Sequence, residues 1–147
     1  MERFARRHLI PYIDIGMDVH NIGDSGFLIT GQIILSIPGK SCLRCCGLIT
    51  DERLAQEAGK YGAAGSRPQV VWSNGVLAST AFDIIVQLLT AWFNNPPNFV
   101  FLDYDSNLGT VSPNARMKLL ANKPCRHHPA AEVGDPLFDL RKLIGRP

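Results

Sequence analysis

Two short segments carry the clearest chemistry in this chain. Cys42-Leu43-Arg44-Cys45 and Cys125-Arg126-His127-His128 each hold two soft donors with two residues between them. That spacing lets a tight turn aim both donors at one ion. Together the segments supply the four ligands of a closed tetrahedral zinc site, the thiolates of Cys42, Cys45 and Cys125 and the imidazole of His128. Cys46 and His127 stand next to these positions and offer the same donor atoms, so each is open as a substitute for its neighbour. Four protein ligands leave no position for water or substrate, so the ion is expected to be structural. It would clamp the Cys42 loop to the C-terminal segment.

Other chemistry is thinner. Gly23-Asp24-Ser25-Gly26 matches the tetrapeptide around a serine-protease nucleophile, but only twenty-four residues precede Ser25. A double-barrel protease needs its histidine and aspartate far upstream, so a turn is expected here. No GxGxxG, GxxxxGK[ST] or HExxH pattern occurs, and the chain has no recognisable phosphate cradle of its own. Asp14, Asp103 and Asp105 fall near predicted strand ends, where turn residues are common, and His8 and His20 read as surface or loop residues.

The elements that must position the half-sites follow from patterning. Glu2 to His8 reads as a short charged helix running into Leu9 to Ile15, an apolar run like a strand buried on both faces of a parallel sheet. A strand should precede such a helix in a βαβ unit, so the sequence reads as beginning in mid-fold. Residues 14–26 read as a loop. Phe27 to Ile37 alternates and predicts a half-exposed antiparallel strand, stopped by Pro38-Gly39 just before Cys42. Thr50 is placed to cap a helix over Asp51 to Ala58, and Gly59 to Pro68 reads as mobile. After Asn74, the polar residues Thr80, Asp83, Gln87 and Thr90 form one narrow stripe, predicting a long helix buried over most of its circumference. Phe99 to Tyr104 and Thr110 to Met117 predict two more strands, the second at an edge, with irregular chain beyond Asn122.

Composition sets the outer bounds. At 147 residues the chain suits a single domain, and a 46% hydrophobic content excludes disorder as its main state. A net charge of +2 without a basic run argues against nucleic acid, and so does the long separation of the two half-sites, unlike the neighbouring hairpins of a zinc ribbon. Asp83 and Gln87 interrupt the one long apolar stretch, which excludes a membrane span there. The first ten residues lack a secretory signal, so a cytoplasmic location is expected.

The order RRHLIPYIDIGMDVH, a strand, PGKSCLRCCG, RPQVVWSNGVLASTAFDIIVQLLTAW, a further strand and CRHHP resembles the C-terminal half of the ThiF/MoeB/HesA family, adenylating enzymes related to ubiquitin activation. The resemblance covers nearly the whole chain. It implies an α/β fold, the C-terminal part of a Rossmann-like adenylation domain with a mixed sheet, one long buried helix and a structural zinc site. It also implies a ubiquitin-like or sulfur-carrier protein as partner and a homo-oligomeric state. ATP and magnesium would be bound only with an N-terminal nucleotide-binding half, whose motifs have no counterpart in residues 1–147. The family's second zinc half-site is usually CxxC, where this chain has His128. Its thioester cysteine has no counterpart before Asn74, where Trp72 and Ser73 stand. The alternative expectation is a catalytically inactive, zinc-stabilised protein-interaction module.

Overall fold

The computed structural model describes residues 1–60, 70–129 and 133–134. Its centre is a four-stranded sheet in the order β1-β2-β3-β4, comprising β1 (Tyr12–Asn21), β2 (Phe27–Ser36), β3 (Val100–Asp105) and β4 (Thr110–Pro113). Every pairing in it is antiparallel. The helices are α1 (Glu2–Arg7), α2 (Asp51–Lys60), α3 (Val71–Leu89) and α4 (Met117–Ala121). Among the described residues no helix is long and apolar enough to cross a membrane.

β2 organises the core because it lies inside the sheet and buries both faces at its C-terminal end. Ile33 and Leu35 point to one side, where they pack with Val100 and Tyr104 of β3 against Leu77, Ala81 and Ile84 of α3. Ile34 points the other way and packs with Phe99 and Phe101, Leu43 and Cys46 of the cysteine turn, and Leu120 of α4. The register agrees with this division, since Ile33 faces Leu102, Ile34 faces Phe101 and Leu35 faces Val100. One sheet face therefore belongs to the long helix and the other to the cysteine turn.

Several expectations change. Leu9 to Ile15 is not an internal parallel strand: the strand starts at Tyr12 and, among the described residues, pairs antiparallel with β2 alone and lies at the sheet edge. Leu9, Ile10 and Ile15 are accordingly exposed. The loop expected over residues 14–26 is largely strand, because Ile13, Ile15, Met17 and Val19 alternate with Asp14, Gly16, Asp18 and His20, a period of two that an edge strand satisfies. The sheet is antiparallel rather than mixed among the described residues. α3 begins at Val71 and buries one face, so it is not covered over most of its circumference. Residues 117–121, expected to be partly strand and partly connection, form α4 once Pro113 has ended β4. Other readings hold. Phe27 to Ile37 is antiparallel strand almost throughout, and the Thr50 hydroxyl accepts the Arg53 amide at 3.2 Å. The Gly23–Ser25 segment is a single 3₁₀ turn closing the β1–β2 hairpin, with Gly23 and Gly26 both at positive φ. The segment expected to be mobile lies largely outside the described residues.

α3 sits close on the sheet at Gly31, where an added Cβ would lie 2.8 Å from the Gly16 carbonyl oxygen and 2.9 Å from a Leu77 methyl. Backbone cannot yield as a side chain tip can, so overpacking is expected to be costly there. Gly31→Ala should lower unfolding stability by about 1–3 kcal/mol in a denaturant titration. Gly75→Ala, whose Cβ meets open space, should not.

Candidate metal centre

The cysteine turn follows β2 directly. Gly39, at φ +83°, reverses the chain, and Gly47, at φ +75°, releases it. Between them the Cys46 amide donates to the Cys42 carbonyl at 3.0 Å and the Leu48 amide to that of Leu43 at 3.1 Å. This turn brings the Cys42 and Cys45 sulfurs to 3.7 Å. Cys125 lies 3.9 Å from Cys45, and His127 Nδ1 lies 3.4 Å from both Cys42 and Cys45. All four donor atoms fall within 4.8 Å of one another.

These separations can be tested against a metal. Bonds of about 2.3 Å to sulfur and 2.0–2.1 Å to nitrogen give a tetrahedron with S···S edges near ~3.8 Å and S···N edges near ~3.6 Å. The four edges among Cys42, Cys45, Cys125 and His127 that run through Cys45 or join His127 to Cys42, at 3.4–3.9 Å, lie close to these values. They are far longer than a disulfide, and the four cysteines are free thiols. Three sulfurs and one imidazole form a soft donor set of the kind that holds zinc.

The histidine among the three sulfurs is His127. His128, the ligand expected from the spacing, is nearly buried beside it, with Nε2 3.9 Å from a Glu2 carboxylate oxygen. A His128 nitrogen, that carboxylate and the Cys42 sulfur also lie within 4.8 Å of one another. Cys46 does not join the cluster; it is buried in the apolar core with Ile34 and Phe99. Burial, with the neighbouring Cys45, pushes its thiol up to about 12. Burial also raises the Cys42 thiol. For Cys45 burial acts in the same direction, but hydrogen bonds from the Cys42 backbone and from His127, Cys42 and Cys125 outweigh it and hold the thiol at about 7. Cys45 thus releases its proton more readily than Cys42 or Cys46.

The turn is anchored from the N-terminal side by residues of the short charged helix that the sequence predicts over Glu2 to His8. Arg6 is 1% exposed and donates to Ser36 Oγ, to the Lys40 carbonyl at 3.0 Å and to the Ser41 carbonyl at 2.7 Å. Only its Nη1 lacks a partner. Glu2, 8% exposed, lies 3.5 Å from Arg6 and accepts the Leu43 amide at 3.1 Å, inside the cysteine turn itself. The four-residue spacing of Glu2 and Arg6 was the available signal, since it puts both charges on one helix face. On the C-terminal side, Ser41 Oγ donates to the Leu120 carbonyl at 2.8 Å and Arg116 to the Cys46 carbonyl at 2.7 Å.

The remaining candidates have structural partners. Asp103 accepts both its bonds from Asn114, and Asp105 accepts the Asn107 and Leu108 amides that shape the β3–β4 turn. Asp14 lies within β1, where burial raises its carboxyl and a bond from Tyr12 partly offsets this. The arrangement as a whole can hold an ion and tie together three separate parts of the chain. Comparison with family models, curated proteins and solved structures finds no match.

Elemental analysis should find one zinc per chain, lost in Cys45→Ser. Glu2→Gln removes the charge behind the turn but keeps its shape. It should weaken zinc about 10- to 100-fold against a competing chelator, the size usual for groups that orient ligands. Arg6→Met, which leaves Glu2 buried without its cation, should cost about 3–5 kcal/mol of stability even in metal-free protein.

Proposed function

We propose that this chain is the zinc-clamped half of an adenylating module of the ThiF/MoeB/HesA type. In this reading it is the C-terminal part of a Rossmann-like domain that docks the tail of a ubiquitin-like or sulfur-carrier protein. The observation that supports the reading best is the three-sulfur, one-imidazole tetrahedron. It is combined with the order strand, cysteine turn, long helix, strand and second half-site that the resemblance implies. Zinc fits the donor set, and reduced thiols fit a cytoplasmic setting. ATP and magnesium would be held by a separate nucleotide-binding half, because adenylation depends on cationic and phosphate-cradling groups placed around the reacting phosphate. In this reading residues 15–23 line the path of the carrier's tail.

A second reading, a zinc-stabilised interaction module without catalysis, draws support from the outer edge of β1. That edge has no partner strand among the described residues and could take an added strand from another protein.

ATP–pyrophosphate exchange separates the two. Residues 1–147 alone should show none, and a nucleotide-binding half from the family fused ahead of Met1 should restore it in the presence of carrier. Exchange by the unfused chain would overturn the first reading. Carrier binding by a fused protein that never exchanges would favour the second.

A further inference from the structure

Beside the closed tetrahedron stands a second set of donors that it does not use. Glu2, Cys42 and His128 bring a carboxylate oxygen, a sulfur and an imidazole nitrogen within 4.8 Å of one another, and Cys42 belongs to both sets. Glu2 Oε1 is engaged by Ser36 and by the Leu43 amide, whereas Oε2 lies 3.9 Å from His128 Nε2. That is too long for a hydrogen bond. It is within the span of two bonds of about 2.0–2.2 Å to a common zinc ion.

Access distinguishes the two sets. A cavity of about 460 Å³ opens beside the centre, lined by Glu2, His127 and His128 together with Arg3 and Arg44. Cys42 is 0% exposed and does not line it, while His127 is the exposed member of the sulfur cluster. From this cavity the buried sulfur lies behind two imidazoles and a carboxylate.

We propose that Glu2 and His128 form a transfer station for the metal, taking a divalent, zinc-like ion from the cavity and passing it to the sulfur cluster through Cys42. A bare ion is too costly to place in a low-dielectric interior, so entry proceeds by replacing its ligands in turn. A donor common to both sets meets that need. Cys42 stays bound while Glu2 and His128 give way to Cys45, Cys125 and His127, and each thiol releases its proton to water as it binds. No electron moves. His127, exposed and lining the same cavity, is placed to close the cluster last and to open it first. Charge explains why the station does not keep the ion. Arg6 Nε lies 3.5 Å from Glu2, and Arg3 and Arg44 line the cavity, so repulsion disfavours a second resident cation there. The three thiolates of the cluster have the opposite balance and retain it.

The inference rests on the metal centre and not on the family resemblance. Metal-free protein mixed with zinc and a chromogenic chelator reads both uptake and release. In His128→Ala both rates should fall about 10-fold or more, the least that removing a group beside a metal usually costs, with dissociation constant and stoichiometry as in wild type. A station speeds passage in both directions and leaves the end states alone. Cobalt-substituted His128→Ala should keep the wild-type sulfur-to-cobalt and ligand-field bands, whereas His127→Ala should shift them. His128→Gln keeps a hydrogen-bonding partner for Glu2 but is a poor zinc ligand. It should be as slow as His128→Ala, and it serves if the alanine variant fails to fold. Rates restored by glutamine, rates unchanged in either variant, or a cobalt spectrum altered in His128→Ala would each overturn the proposal. So would an affinity loss of about 10- to 100-fold with uptake unchanged, the effect of a group that only orients ligands. A wild type that takes up no zinc would remove the centre and the station together, while zinc held with unaltered kinetics in His128→Ala would remove the station alone.

Discussion

A buried guanidinium holds the first seven residues against the rest of the molecule. Burying Arg6 is costly unless its donors find partners, and those of Nε and Nη2 are met by Ser36 at the end of β2 and by the carbonyls that begin the cysteine turn. Glu2 balances the charge and reaches one residue further, to the Leu43 amide. α1 has too few residues to be stable alone. It becomes a fixed element because its two charges fall where strand becomes turn. The position of the cysteines relative to the sheet follows from that anchorage on one side and from Ser41 and Arg116 on the other.

The sheet gives this anchorage its rigidity by being covered on two faces by different means. α3 covers one face through aliphatic packing on Ile33 and Leu35. The other is covered by a turn with little apolar bulk of its own, which depends on Leu43, Cys46 and Leu120 closing over Ile34 and Phe101. Arg116 adds to that closure by lying 5.7 Å over the Phe101 ring while bonding the Cys46 carbonyl. A metal ion held by the cluster would supply here what a helix supplies opposite, fixing a polar, irregular segment.

The site was more legible in the sequence than the sheet. Cys42, Cys45 and Cys125 could be named because ligand spacing is a local property, whereas the choice between His127 and His128 depends on how the last turn meets the first helix. That Glu2 and Arg6 are buried is not legible in the sequence, because their burial is decided by partners thirty or more positions away. The long helix shows the reverse case. Its sequence is apolar nearly all round, yet among the described residues only the face carrying Ser73, Leu77, Ala81 and Ile84 is covered, because an apolar pattern does not say which of its sides meets the sheet. Leu9 to Ile15 resembled a buried strand because apolar runs carry no sign of strand direction, and direction here is set by the tight turn at Gly23 to Gly26.

Cys45 and Cys125 stand 80 positions apart along the chain, and this separation bears on how the molecule reaches its fold. An unfolded chain that captures an ion at the first half-site already carries a preformed loop end. Engaging the second half-site then removes much of the conformational freedom of everything between them. By analogy with a covalent bridge over a loop of this length, the closure restricts the unfolded ensemble by about 4 kcal/mol. α3, β3 and β4 lie inside that loop and β2 ends just before it, so an ion bound at both half-sites would bring β2 and the far end of the loop into proximity before most of the core contacts exist. An ion that fixes the cysteine turn in the finished protein would thus also act as a tether during folding, shortening a search that a long-range antiparallel pairing conducts slowly.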